Sequence, residues 1–342
     1  VAGFFISLEI LGRTMNTSIT SNRMGIVSFK STSHCGVLFD GQEVVCQISR
    51  NLRLSDGNNH QKNEVPSSAR SLENSIVVGD NVMVQNHHAG QPIIMERLPR
   101  QNQLSRSSTT RPGGQMIEQV LASNVDQVIA VFAAANPEPK WNLLDRYLVM
   151  AEAVDLPVWI VITKMDLMEQ YPTSNELNES LAVYQKVGYP VLLTSCVNKI
   201  GFDDLHKALK GKNSVLIGKS GVGKTSLLNS LLPGLDSRVN AVNSITGKGR
   251  HTTSAMRLLS IDEQTFLIDS PGTREFGLWD IDPYDLDWYF RDIRPYLGNC
   301  KFKLDCRHED EPGCAVRKAV MDSQIDPRRY QSYLRLKEDF LL

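Results

Sequence analysis

The sequence has no apolar run near the roughly 18 residues that a membrane-crossing helix needs; its longest are Val128 to Ala135 and Leu156 to Thr163. No membrane partner is therefore expected. It also lacks a charge excess of either sign. Its 37 Lys and Arg against 38 Asp and Glu leave a net charge of -1, so the chain as a whole is not a general polyanion binder. Any nucleic-acid contact has to use local patches. Cysteines number only six, and three of them crowd between Cys300 and Cys314. The apolar start, Val1 to Gly12, has neither a basic leading segment nor a small-residue cleavage site, which makes it a poor signal peptide. Without an export signal, a disulfide framework gives way to a metal site in a reducing compartment, and cytoplasm is the expected location. Compositional bias is absent too. With 41% hydrophobic and 22% charged residues in 342, the chain reads as globular protein of about two to three domains.

What is present divides along the chain. Residues 1–23 are read as an extension ahead of the first domain. From Met24 to Leu98 five β-rich runs, Met24–Ser31, Cys35–Asp40, Glu43–Ile48, Ile76–Val84 and Pro92–Leu98, are set off by turn signals such as Asp40-Gly41. Five short strands suit a barrel of the oligonucleotide-binding (OB) type, residues 24–104, with a small packing domain as the competing reading. The polar stretch Leu54 to Asn74 reads as a loop within it, and Gln101 to Gln115 reads as a linker. Beyond, strand-like runs alternate with amphipathic segments, which predicts an open, mostly parallel α/β sheet with helices on both faces over 105–285. The remainder, 286–342, holds a Cys/His cluster and a segment with helical spacing from Ala315 to Leu342.

Gly218-Lys219-Ser220-Gly221-Val222-Gly223-Lys224-Thr225 matches G-x-x-x-x-G-K-[ST] between the strand Ser214–Ile217 and an apolar helix that Ser226 continues. Glycines there let backbone N–H groups close around a phosphate, and the helix N-terminus adds partial positive charge. Lys224 would reach the β/γ-phosphates and the Thr225 hydroxyl would hold magnesium. This motif does not choose between ATP and GTP.

Thr163-Lys164-Met165-Asp166 ends the strand Val158–Ile162. A carboxylate at Asp166 accepts from the N1–H and 2-amino group of guanine, donors that adenine lacks. Lys164 would lie along the base. Thr194-Ser195-Cys196 follows another strand and offers a backbone N–H to guanine O6. Asp269-Ser270-Pro271-Gly272 closes the strand Thr265–Ile268, with Asp269 placed to hold magnesium through water and Gly272 to sense a γ-phosphate. Between the phosphate loop and Asp269 lies His251-Thr252-Thr253-Ser254, where a switch loop would supply a Thr, here assigned to Thr252, to the metal. The order is base-reading loops first and phosphate loop after, the reverse of a conventional GTPase. That order predicts a circularly permuted P-loop GTPase domain.

With the barrel, Arg250-His251-Thr252-Thr253, Asp269-Ser270-Pro271-Gly272 and the Cys/His cluster, the chain from about Met24 onward resembles the RsgA/YjeQ family of circularly permuted, small-ribosomal-subunit-dependent GTPases. The resemblance implies GTP hydrolysis to GDP, stimulated by the small ribosomal subunit, in late maturation of that subunit, with contacts to its rRNA. A monomer is expected. Two departures stand out: the family has Asn where this chain has Thr163, and the loop Leu54–Asn74 is longer than the family's barrel connection.

No Gln follows Gly272 to orient the attacking water; Thr273, Arg274 and Glu275 do. The resemblance implies His251 in that role, against a plain loop or RNA-contacting histidine. Cys300, Cys306, His308 and Cys314 supply three thiolates and an imidazole, the donors of a closed, structural zinc site. Their C-x5-C-x-H-x5-C spacing is close to the family's cluster, with an extra residue in the first gap. A different class of function also fits these motifs: an RNA-binding module that uses guanine nucleotide as a structural switch, with incidental hydrolysis.

Overall fold

The computed structural model describes residues 22–31, 34–49, 52, 75–86, 91–109, 116–170, 174–234, 256–270 and 281–341. Residues 1–21, the whole 54–74 loop, the stretch holding His251, Thr252 and Thr253, and Pro271 and Gly272 lie outside them.

Strands β1 (Asn22–Lys30), β2 (His34–Phe39), β3 (Gln42–Ile48), β4 (Asn81–Gln85) and β5 (Ile93–Arg97) close a barrel in the order β1-β2-β3-β5-β4. The alternating apolar residues point inward: Val27, Val37, Cys46, Ile48, Val82, Val84 and Ile94 form one core. Fully burying each such side chain contributes about 1.5–3 kcal/mol. The five-strand expectation holds, but the fourth run starts later than its apolar residues imply. Ile76 to Val78 pack into cores without strand pairing beyond one bridge, because the chain turns at Gly79, whose φ is 91°.

The stretch expected as a linker, residues 101–115, instead contains a strand of an antiparallel pair. β6 (Gln103–Thr109) pairs antiparallel with β7 (Met116–Ser123). Its cross-strand bonds are polar: Gln103 Nε2 and Ser105 Oγ donate to Glu118 Oε1 at 2.8 and 2.5 Å, and Arg106 donates twice to Gln119 Oε1. Polar pairing of this kind leaves no hydrophobic alternation to read.

The central sheet runs β10-β9-β8-β11-β13-β12, from β8 (Gln127–Ala133), β9 (Val158–Thr163), β10 (Val191–Leu193), β11 (Asn213–Ile217), β12 (Arg257–Ser260) and β13 (Phe266–Asp269). All are parallel except β12, which lies antiparallel on β13 at the edge. Every residue of β8 is buried, as a central strand covered on both faces requires. Val128, Ala130 and Phe132 face α1 (Trp141–Glu152) and α2 (Ser174–Val187); Ile129, Val131 and Ala133 face α3 (Phe202–Leu209) and α4 (Lys224–Leu231). The predicted two-faced α/β layer is therefore present. Helix α3 has acids in its first turn, Asp203 and Asp204, and His206 and Lys207 in its last, matching the helix dipole.

The C-terminal segment is two helices, not one: α5 (Ala315–Met321) and α6 (Pro327–Leu341). Ser323 at φ 57° and Pro327 at the first helical position break the spacing. Arg329 of α6 is fully buried between Asp145 of α1 and Asp292, joining this module to the sheet's helical face. Among the described residues no helix is long and apolar enough to cross a membrane.

Candidate functional site

The motif residues meet at the C-terminal ends of the parallel strands, the edge at which open α/β sheets bind ligands. Past β11 the chain turns at Gly218 with φ 156°, so close to Val131 O that a Cβ would collide with it. Gly223, at φ 96°, precedes α4 and leaves only 3.2 Å between a would-be Cβ and Thr163 Oγ1. Lys224 is buried, its Nζ donating to Gly218 O at 2.5 Å and Lys219 O at 3.0 Å, so the cation folds over the loop. Ser220, Gly221, Thr225 and Ser226 are exposed around the loop mouth, and Val222 is buried beneath it.

Asp269 ends β13 opposite Leu216 of β11 and Arg257 of β12. Loss of water pushes its carboxyl up to about 6, while the nearby Lys224 pulls it the other way. Burial likewise lowers Lys224, with Asp269 opposing. Ser270 Oγ donates to Leu216 O at 2.5 Å and pins the end of β13 to β11.

The loop from Thr163 to Asp166 is tied to the loop from Gly218 to Thr225. Thr163 Oγ1 donates to Val222 O at 2.5 Å and lies 3.3 Å from Phe132 O. Lys164, in the left-handed region at φ 57°, donates to Gly221 O at 2.7 Å and to Asn136 O. Met165 N donates to Thr194 O at 3.2 Å, and Ser195 Oγ donates to Asp166 Oδ1 at 2.6 Å. Ser195 and Ile200 exchange both backbone hydrogen bonds, which holds the loop; Cys196 within it is half-buried. The structure thus brings together Thr163 to Asp166, Thr194 to Cys196 and Gly218 to Ser226, with Asp269 alongside. The expected roles of His251, Thr252 and Gly272 fall on residues outside the description.

A second site lies in the C-terminal module. The ligand atoms of Cys300, Cys306, His308 and Cys314 all fall within 4.8 Å of one another, and all four residues are buried. His308 Nδ1 is 3.5 and 3.4 Å from the sulfurs of Cys300 and Cys314, which are 3.9 Å apart. With Zn–S bonds of about 2.3 Å, tetrahedral ligation puts sulfurs about 3.8 Å apart, so the donor set fits a closed structural metal. Burial pushes the Cys306 thiol up to about 12. His308 Nε2 meets Asp287 Oδ2 at 3.1 Å, which turns Nδ1 toward the sulfurs. Asp287 was not legible as part of this site: it lies 21 residues upstream among other acids.

The model of the RsgA GTPase family matches residues 97–279. The small ribosomal subunit biogenesis GTPase RsgA of Pseudomonas aeruginosa (strain LESB58) is 41% identical over 259 residues, 76% of this chain and 74% of that protein. Its counterpart in Azotobacter vinelandii is 43% identical, covering 76% and 73%. Among solved structures, YjeQ from Thermotoga maritima superposes with a TM-score of 0.69 at 30% identity, covering 94% of this chain and 99% of that one. YloQ, described as a circularly permuted GTPase, gives 0.64 at 29% identity, covering 96% and 97%. A permuted motif order on one continuous sheet, a barrel before it and a Cys3His cluster after it agree with these matches: the chain belongs to the RsgA GTPase family.

Proposed function

We infer that this chain hydrolyses GTP to GDP and phosphate, is stimulated by the small ribosomal subunit, and acts in that subunit's biogenesis. The carrying observation is the bonding of Asp166, Lys164 and Thr163 to Ser195, Gly221 and Val222, which joins a guanine-reading loop to a phosphate loop. In this reading the Asp166 carboxylate takes the two guanine donors and Lys164 supports the base. Backbone N–H groups from Gly218 to Ser226 surround the phosphates, and Lys224 leaves its carbonyl partners for their oxygens. Thr225, Thr252 and Asp269 would hold magnesium. That ion, when bound, offsets phosphate charge as it develops. Gly272 senses the γ-phosphate, and His251 orients the water. The metal of the Cys3His cluster is zinc and structural.

The proposed domains are 24–104, 105–285 and 286–342, with cytoplasm as the compartment, rRNA among the partners and a monomeric state. His251→Ala is expected to keep GTP binding and lose most subunit-stimulated turnover. An unchanged stimulated rate contradicts that role. The second reading, a nucleotide-switched RNA-binding module, is separated by turnover with and without small subunits: little stimulation favours it.

A further inference from the structure

Among the described residues, the edge strand β12 lies between the barrel and β13, and the Arg257–Glu43 ion pair joins barrel and edge. Glu43, at the start of β3, accepts from Ser28 Oγ of β1 through Oε1 at 2.5 Å and from Arg257 Nη2 through Oε2 at 2.8 Å. Both side chains are largely shielded, with 18% and 19% exposure. The Arg257 guanidinium also stands over the Phe29 ring, 5.5 Å from its centroid. That ring packs over Gly36, where any Cβ would collide with it. Barrel and guanidinium are therefore held in one geometry.

Arg257 is also the residue whose backbone lies directly opposite Asp269. On its other side Asp269 is opposite Leu216, one residue from the end of the strand that feeds the phosphate loop. A shift of Arg257 along the edge is thus felt at the carboxylate proposed to hold magnesium. Stability alone does not account for this choice. A shielded ion pair stabilises no more than a well-packed apolar pair of similar size, but it does fix register.

We propose that Arg257, anchored by Glu43, is a positioning residue for stimulated hydrolysis: when the barrel is engaged by the subunit, this pair sets β12, and through it Asp269. The proposal rests on the function inferred above. Its tests are Glu43→Gln, Arg257→Gln and Arg257→Lys in the full chain, with melting temperature and GTP affinity as controls on folding. Subunit affinity is read by co-sedimentation with a non-hydrolysable GTP analogue, and turnover is read alone and at saturating small subunits.

The two Gln variants are expected to keep basal turnover and KM for GTP while losing about fivefold or more of kcat at saturating subunits. Arg257→Lys, which keeps the charge, is expected to retain most of it. Gln variants that reach the unaltered protein's stimulated kcat at saturation overturn the proposal, because the pair then serves docking alone. Equal falls in basal and stimulated kcat overturn it as well, as does a Lys variant no better than the Gln variant. If the unaltered protein itself shows no stimulation, the underlying function fails and the proposal with it, an outcome distinguishable without any variant.

Discussion

The Ser195 hydroxyl donates to Asp166 Oδ1 across 2.6 Å, so the two loops proposed to read guanine, whose bonded residues are 29 positions apart, hold one carboxylate in place. Asp166→Asn removes the charge that accepts the guanine donors and is expected to weaken GTP binding by about a hundredfold, since hydrogen bonds to a charged group contribute about 1.5–3 kcal/mol each. An Asn amide can also donate, so xanthosine triphosphate should gain where GTP loses. Ser195→Ala only loosens the carboxylate and should cost about five- to tenfold. Competition binding with both nucleotides reads the two effects, and an unchanged preference contradicts the assignment of Asp166.

Thr163 stands where the family has Asn, and here its hydroxyl ties β9 to Val222 O. Thr163→Val keeps the shape and removes the donor. The expected outcome is a loss of about fivefold in affinity for both GTP and GDP, consistent with one hydrogen bond of about 1 kcal/mol, with the guanine-over-adenine preference retained. A changed base preference would place Thr163 on the base itself.

Asp269 carries a pH signature. Desolvation raises its carboxyl to about 6, so in the nucleotide-free protein the neutral form persists to higher pH than in a solvated carboxyl. The stability this gives is full below its unfolded value of about 3.9 and is lost as pH rises through about 6. Magnesium binding needs the carboxylate, so magnesium-dependent GTP affinity should rise over the same window, with a proton released. Asp269→Asn should flatten the stability change between about pH 4 and 6. Melting temperature against pH, with and without nucleotide, measures both.

The metal site predicts stoichiometric zinc by elemental analysis, lost in Cys306→Ser. Asp287→Ala leaves all four donors and removes the partner of His308 Nε2, so zinc affinity should fall about 10- to 100-fold. Competition with a chromophoric chelator measures this, and unchanged affinity shows that Asp287 does not orient the ligand.

Much of this was legible in the sequence because motif chemistry and hydrophobic period agree. The phosphate loop, Asp166 and the Cys3His donors announce themselves by residue type and spacing, and the central strands by unbroken apolar runs. The illegible parts are carried by polar groups. β6, inside the stretch expected as a linker, carries no apolar signal because Gln103 and Ser105 pair with Glu118 of β7 through polar groups. Arg329 between Asp145 and Asp292, and Arg257 on Glu43, join residues 184, 37 and 214 positions apart, which no local window detects. The break between α5 and α6 had a readable signal in Asp326-Pro327, outweighed by the helical spacing on either side.

The most direct measurement is GTP turnover by the full chain alone, with purified small subunits and with purified large subunits, with ATP run in parallel. Stimulation by small subunits of at least about tenfold, about 1.4 kcal/mol of barrier, is expected with GTP, with little from large subunits and none with ATP. Equal rates with and without small subunits, or equal stimulation by both subunits, would contradict a small-subunit-dependent GTP hydrolase.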